Sequence, residues 1–553
     1  MRRSRVTQMS SSGREKSPSA ARSVLIILAA AQFLMTLDST VMNVSITQVA
    51  SDVHTTVTGI QTAITLYTLV MASLMITGGK IGTLIGRRRA FAIGLVIYGV
   101  GSGVTSLAHS LPVLIIGWSF LEGVGAALIM PAIVALVASN FPPEGRTKAY
   151  GMIAASGAIA VAVGPLLGGA VTTYASWRYV FVGEVVLVLI ILIGSPTIAD
   201  TEVGEQRSFD VFGAILSIIG LALVVLGVLK SGSWGWVQPH EGQPTLLGLS
   251  PVIWMVLSGL SVLAGFLAYE SHRVDRSLEP LVRPALFSNR QMVGGLVMFF
   301  FQYLAQAGIF FTIPLFLSVV LELSAVQTGL RLLPLSAALL LSALGVPRLF
   351  AKTAPRRIVR LGLLLMIAGT CVLIAGVSPG ADASVVAIPM VLLGLGIGCL
   401  ASQLGAVTVS AVPQSQSAEV GGLQNTAMNL GASIGTALAG AVLIASLSGV
   451  LLGGIAASPT ISASVKDSAT TSMTGSVPFV SDTQLHTALD NAGVSPSDAA
   501  QITALNAEGR LKGLDSALAV IAIFEVLALV LSVMMPKIPV AEMAPPPERR
   551  KSV

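Results

Sequence analysis

An all-α, polytopic membrane protein with fourteen transmembrane helices is the fold the sequence predicts, and three observations predict it. Only 10% of the 553 residues are charged while 54% are hydrophobic, against roughly 25% charged in a soluble protein. Apolar runs of about 20 residues, the length a helix needs to cross a bilayer, recur from Val24 to Met535. The runs are continuous and twice as long as barrel strands, which would alternate apolar and polar residues over about ten positions. Helices are then the only solution, because each satisfies its backbone within one span.

The first 23 residues are polar and basic and read as a tail. Span 1 follows over 24–46; it exceeds the apolar region of a cleaved leader and no small-residue cleavage site closes it, so it reads as retained. Spans 2 to 6 are expected near 58–78, 90–107, 112–138, 149–173 and 179–198, and spans 7 and 8 near 210–229 and 249–270. The last six are expected near 291–320, 327–350, 358–378, 384–411, 419–445 and 513–535. One long segment, 447–512, separates spans 13 and 14. It is rich in Ser, Thr, Ala and Gly, with helix starts at Asp482 after Ser481 and Asp498 after Ser497, and its few aromatics predict a lid or loose loop without its own core.

An even span count puts both termini on one side. With that side cytoplasmic, inner loops and tails hold 26 of the 32 Lys and Arg residues, and basic loops resist translocation. The net charge of +6 then faces anionic lipid, and no nucleic-acid partner is expected. Cys371 and Cys399 lie inside apolar runs, the five histidines lack ligand spacing, and no phosphate-cradling loop occurs. No metal and no cofactor are expected; the energy source left is an ion gradient.

A self-similarity recurs at one offset. Thr58-Gly59 matches Thr328-Gly329 at 270 residues, Arg88-Arg89 with Gly94 matches Arg356-Arg357 with Gly362 at 268, and Gly123 and Gly125 match Gly394 and Gly396 at 271. Gly151, Gly164 and Gly169 match Gly422, Gly435 and Gly440, again at 271. The offset maps span 2 to 10 and span 5 to 13, so the halves run parallel and spans 7 and 8 are an insertion. The expected organisation is a tail (1–23), a six-helix bundle (24–198), two inserted helices with linkers (199–290), a second six-helix bundle (291–535, holding the 447–512 loop) and a tail (536–553).

Particular segments carry a family resemblance. LDSTVMNVSI (Leu37 to Ile46), GGKIGTLIGRRR (Gly78 to Arg89), Gly151 with GPLLGG (Gly164 to Gly169), and SWRYVF (Ser176 to Phe181) resemble motifs of the major facilitator superfamily, and within it the fourteen-span drug:proton antiporters. The resemblance implies a 6+2+6 major facilitator fold and a non-enzymatic exporter working by alternating access in a bacterial cytoplasmic membrane. Its implied cargo is amphipathic or cationic small molecules, driven by the proton gradient. A lipophilic substrate and membrane lipid are the expected partners, and a monomer the expected state. The gating and seam residues are expected to be Gly78, Lys80, Gly82, Gly86, Arg87 and Arg88 in the loop motif, Gly151, Gly164, Pro165, Gly168 and Gly169 in span 5, and Arg178; simple close packing is the alternative for the span 5 glycines and a topology anchor for the Arg87–Arg89 cluster. Six positions depart from the motifs: Thr83-Leu84 replaces Asp-Arg, Ser119 replaces a buried Arg, Glu122 replaces Gln, Glu184 replaces Asn, and Ala160 replaces the middle glycine of the span 5 motif. Thr83 and Ser119 keep a second reading open, export of an endogenous lipid or metabolite, with or without proton coupling.

An ionised carboxylate near a bilayer centre costs roughly 2.5–3.5 kcal/mol on insertion scales, so each invites a reason. Asp38, Glu122 and Glu184 are the proton-coupling candidates; Glu525 in the last span is more simply structural. Trp118 lies one turn from Glu122, setting an acid beside a flat apolar surface suited to a lipophilic cation. Structural hydrogen bonding is the alternative for Glu122 and Asp38, and an interfacial contact with Arg178 for Glu184. Gln302, Tyr303, Gln306 and Phe310 form a mixed amide and aromatic face of span 9. With Gln424, Asn425 and Asn429 in span 13 and Gln61 in span 2, they are the expected cavity wall, helix packing being the alternative.

Overall fold

The computed structural model describes residues 18–141, 143–200, 209–240, 242–378, 382–413, 416–463, 465–466, 477–539 and 543. Most of the basic residues counted in the two tails, and Arg207, lie outside the described residues. Fourteen helices are long and apolar enough to cross a membrane: Ala21–Val44, Val57–Ile85, Arg87–Ser106, Leu111–Val137, Gly151–Tyr174, Arg178–Thr197, Val211–Trp234, Pro251–Asp275, Arg290–Val320, Ala325–Leu349, Pro355–Gly376, Ala383–Val409, Glu419–Ala457 and Pro496–Met534. These are spans 1 to 14. The end of the bundle where span 1 begins is called the near end and the opposite one the far end.

Small residues set the packing, as expected where lipid supplies no hydrophobic drive between helices. Span 3 meets span 4 through Gly94 and Gly125: a Cβ on either would lie 2.9 or 2.7 Å from the other's carbonyl oxygen. Span 11 meets span 12 through Gly362 and Gly396 in the same way, at 2.8 and 2.6 Å. These glycines are the pairs related by the sequence offset, so the repeat is repeated as contact.

The two halves meet along two seams, span 2 with span 13 and span 5 with span 10, which the offset exchanges. A Cβ on Gly329 would enter the Pro165 carbonyl, and one on Gly169 the Ala325 carbonyl. Beside them the Val326 N–H donates to Thr173 Oγ1 (3.0 Å). In the other seam Gln61 Nε2 donates to the carbonyls of Thr436 and Ala437 (3.1 Å each), and Ser433 Oγ donates to Thr65 O (2.9 Å). Both seams lie toward the far end. Span 7 covers the span 2–span 13 seam, burying Leu221 and Val225 against Leu69, and span 8 packs chiefly on span 7.

At the near end the linker after span 8 reaches both halves. Lys80 Nζ, closing span 2, lies 2.9 Å from Glu279 Oε2. The Arg283 N–H donates to Glu419 Oε1 at the start of span 13 (2.9 Å), with the guanidinium 3.6 Å from the same carboxylate. The linker is held in shape from within, because Glu270 accepts the Leu281 N–H (2.9 Å) and Arg273 Nη2 donates to Glu279 O (2.9 Å). Thr83, where the loop motif has an acid, donates only to Lys80 O (2.7 Å). Acids reach the loop from elsewhere: Glu279 on Lys80, and Asp200, which accepts the Arg88 N–H (3.1 Å) beside Gly86 at φ 100°.

The far end differs from expectation. Spans 13 and 14 each run 39 residues, about 58 Å at 1.5 Å per residue, nearly twice a bilayer core of about 30 Å. Leu447, Leu451 and Ile455 recur every fourth residue and are buried with Ile461, Val477, Phe479 and Ile502, so the described part of 447–512 has a small core and is no loose loop. The helix Asp482–Asn491 starts at Ser481 in a capping box with Gln484, whereas span 14 is capped by Ser495, two residues before the Ser497 expected. Fully buried Arg510 ties the extension together, donating to Val480 O (3.0 Å), Val319 O (3.3 Å) and Asp482 Oδ1 (2.5 Å).

Glu322, between spans 9 and 10, accepts from Thr483 Oγ1 (2.9 Å). Slight burial opposes its charge, but the hydrogen bonds from Thr483 outweigh it and hold the carboxyl below its ordinary value. A lowered carboxyl stabilises above its unfolded value and loses that contribution as pH falls through the folded one. Amides of 482–491 should therefore lose hydrogen-exchange protection below the ordinary carboxylate range, and Glu322→Gln should remove most of that dependence.

Candidate functional site

Span 4 widens into a π-helical stretch over Ile115–Glu122, a geometry that concentrates at functional sites because it re-aims side chains at the cost of poorer hydrogen bonds. Gly101 of span 3 makes room for it, since a Cβ there would lie 2.8 Å from both Glu122 N and Gly117 O. Ser119 occupies the position of the motif's buried Arg and donates to Ala63 O of span 2 (2.8 Å). The stretch thereby carries Trp118 and Glu122 inward and no cation.

Asp38, Glu122 and Glu184 meet there. They are 0%, 0% and 2% exposed, and one oxygen from each lies within 4.8 Å of the others. Trp118 Nε1 donates to Asp38 Oδ1 (2.8 Å), Thr105 Oγ1 to Glu122 Oε1 (3.0 Å), and Ser102 Oγ and Tyr98 Oη to Glu184 Oε2 (3.1 and 3.3 Å). The second oxygens, Asp38 Oδ2, Glu122 Oε2 and Glu184 Oε1, have no partner, nor has the Tyr67 hydroxyl. Among the described residues no basic side chain pairs with any of the three. Ionised together, such charges would repel by about 3 kcal/mol per pair at an effective dielectric constant of 20.

For Glu184, a proton-coupling candidate, the sequence leaves open a contact with Arg178 as the alternative. Arg178 instead pairs with Asp52 Oδ2 (3.0 Å), donates to Ala108 O (2.7 Å) and lies 4.6 Å from the Trp177 ring. Glu184, two turns into span 6, faces span 3 and the other two acids. Glu525 is buried elsewhere and accepts from Thr370 (3.1 Å).

A cavity of about 180 Å³ lies between the halves on the near side of the seams. Trp118, Tyr303, Gln306, Phe310 and Asn429 line it. Gln61 does not: it bridges spans 2 and 13 and lines a second cavity with Lys230 and Trp234. Gln302 is 2% exposed and Asn425 donates to Gly421 O (2.9 Å), while Gln424 donates to Thr408; none of the three lines the cavity. Sequence reasoning missed Gln32, Thr36, Ser39 and Asn43, a polar stripe of span 1 at steps of three and four, and the methionines Met35, Met71, Met130 and Met428. No charged side chain lines the cavity. The acids lie behind one of its walls, where Tyr67 and Trp118 stack at 4.9 Å with planes 9° apart.

The seam residues divide by what they touch. Gly164 and Gly168 of span 5 receive Thr40 and Val41 of span 1, Gly78 meets the Ala127 carbonyl, Gly82 approaches Ala90, and Gly151 faces open space. Arg87 donates to Ala135 O (3.2 Å) and Arg88 to Ile198 O (3.3 Å).

Three comparisons bear on this geometry. The model of the Major Facilitator Superfamily matches residues 28–436. The puromycin resistance protein pur8 of Streptomyces alboniger is 30% identical over 420 residues, 75% of this chain and 80% of that protein. The multidrug efflux pump LfrA of Mycolicibacterium smegmatis is 26% identical over 432 residues, 78% of this chain and 82% of the relative. Among solved structures, a bacterial homologue of the human lysosomal transporter Spinster, inward-facing and unoccupied, superposes with a TM-score of 0.58 at 15% identity, covering 94% of this chain and 98% of that one; at that identity the likeness is one of fold.

Proposed function

This chain belongs to the Major Facilitator Superfamily and is a multi-pass membrane transporter, and from that premise we propose that it exports amphipathic, cationic small molecules in exchange for protons. The names of its relatives, which include resistance and efflux proteins, support export as the direction. One observation carries the proton: three buried carboxyl groups within 4.8 Å, without a basic partner, behind the aromatic wall of an uncharged cavity. The balance of basic residues supports a cytoplasmic near end, so the cavity faces the cytoplasm while the seams close the outside.

The exchange follows from that placement. With the cavity facing the cytoplasm, a lipophilic cation enters among methionines, aromatic rings and amides, and the cluster gives a proton to cytoplasmic water. The halves then rock, the far-end seams part, and the cation leaves while the cluster takes a proton from outside. Each charge crossing the membrane is worth about 2.3 kcal/mol per 100 mV. Gly169 and Gly329 let the seams close fully, so that protons and substrate do not leak together.

Proteoliposomes under an imposed pH gradient test this reading. Adding a lipophilic cation should dissipate the gradient in the native protein. Asp38→Asn and Glu122→Gln should each cut that proton movement by tenfold or more. Undiminished coupled flux in both variants overturns the assignment of the cluster.

A further inference from the structure

Between the carboxyl cluster and the cavity stand two stacked rings, Tyr67 and Trp118. Asp38 is fully buried, and Trp118 Nε1 donates to its Oδ1 at 2.8 Å, with the hydroxyls of Tyr67 and Tyr98 also turned toward the carboxyl. Trp118 and Tyr67, each 1% exposed, stack on each other, and both border the cavity between the halves. No charged group reaches the cavity, so a bound cation has no direct carboxylate partner.

We propose that the indole of Trp118 links cavity occupancy to the charge of the cluster, so that a cation bound on the Tyr67–Trp118 wall expels a proton from Asp38 without touching it. The inference rests on the exchange reading above and adds the part that couples its two ligands. Indole is a donor and never an acceptor, and its bond to an ionised carboxylate is stronger than its bond to a neutral carboxyl. A cation over the ring is held by the ring's quadrupole; by drawing electron density toward itself it makes the N–H a better donor. The cation therefore favours the ionised form of Asp38, and the proton released goes to cytoplasmic water.

Linkage makes the effect reciprocal: a proton returning to Asp38 weakens the hold of the ring on the cation by the same factor. That is the sign an exchanger needs. The other groups facing Asp38 are Glu122 from span 4, Glu184 from span 6, and the hydroxyls of Tyr67 and Tyr98 from spans 2 and 3. The two glutamates oppose its ionisation. Of this set Tyr67 and Trp118 both border the cavity, and the indole is the one whose bond to Asp38 is short and direct at 2.8 Å, which makes Trp118 a positioning residue for the proton as well as a surface for the substrate.

The test uses purified full-length protein in weakly buffered detergent, titrated with tetraphenylphosphonium while binding and pH are both followed. The native protein should release protons on binding, and its affinity should rise with pH, up to about tenfold per unit. Trp118→Phe keeps a ring on Tyr67 and lacks the donor. It should bind the cation more weakly than native at high pH, release at least fivefold less proton per bound cation, and lose the pH slope. A merely structural role would lower affinity equally at every pH and leave the slope, which overturns the inference. Should the variant misfold, benzothienylalanine in place of Trp118 keeps the bicyclic shape without the N–H and is read in the same way. If Asp38→Asn abolishes proton release while Trp118→Phe retains it, the exchange reading stands and the link falls. If the native protein binds the cation with no proton release at any pH, both fall.

Discussion

Replacing Gly329 with valine should reduce export at least tenfold and shift the population toward the state open at the far end. A Cβ at this position enters the Pro165 carbonyl, and Gly169 makes the reciprocal approach to the Ala325 carbonyl. The atoms in the way are backbone on both sides, so no rotamer change relieves the overlap. Overpacking of this kind costs about 1–3 kcal/mol where neighbours can shift, and valine adds two methyl groups to the clash. Since 1.4 kcal/mol is tenfold in an equilibrium constant, the closed seam should lose most of its population. The check is labelling of a cysteine placed at Thr62, near the far end of span 2, which should react faster from outside in Gly329→Val than in the parent. Gly151→Ala is the control, because nothing lies within 4 Å of a Cβ there; it should export at the parental rate although the same family motif contains it.

That contrast marks what the sequence could and could not tell. Hydrophobic length is a one-dimensional property, so all fourteen spans were legible, and the common offset of Gly94, Gly125, Gly362 and Gly396 announced contacts the fold makes twice. Rotation of a helix about its axis was harder to read. Trp118, Tyr303, Gln306, Phe310 and Asn429 line the cavity, whereas Gln302, Gln424 and Asn425 sit one face away, since neighbouring polar residues of one helix point in different directions. The π-helical turn shifts the faces of span 4 in a way that no periodicity encodes. For Glu184 the alternative to coupling, a contact with Arg178, rests on proximity in sequence, and the three-dimensional partner of Arg178 is Asp52, on another helix. The far-end extension was misjudged for a related reason: few aromatics suggested no core, but Leu447, Leu451 and Ile455 needed only a partner helix to bury them.

The clasp at the near end yields the second large effect. Lys80→Glu should slow export about tenfold, and adding Glu279→Lys should restore much of the loss. The Lys80–Glu279 pair is partly shielded, its side chains 17% and 32% exposed, and reversal turns an attraction into a repulsion, worth about 4 kcal/mol at 4 Å and an effective dielectric constant of 20. Solvent screening leaves a fraction of that, since exposed pairs typically return 0.2–1 kcal/mol. What raises the consequence above that of an ordinary surface pair is the linker's second attachment, Arg283 on Glu419. Holding the end of span 2 on one side and the start of span 13 on the other, the linker spans the boundary across which the halves must move. Losing one anchor frees that boundary, and the two-helix insertion then no longer reports the position of one half to the other. Transport measured at low and high salt separates this from misfolding: the parent and the double exchange should weaken together as salt rises, whereas Lys80→Glu, already unclasped and held apart by like charges, should recover part of its rate.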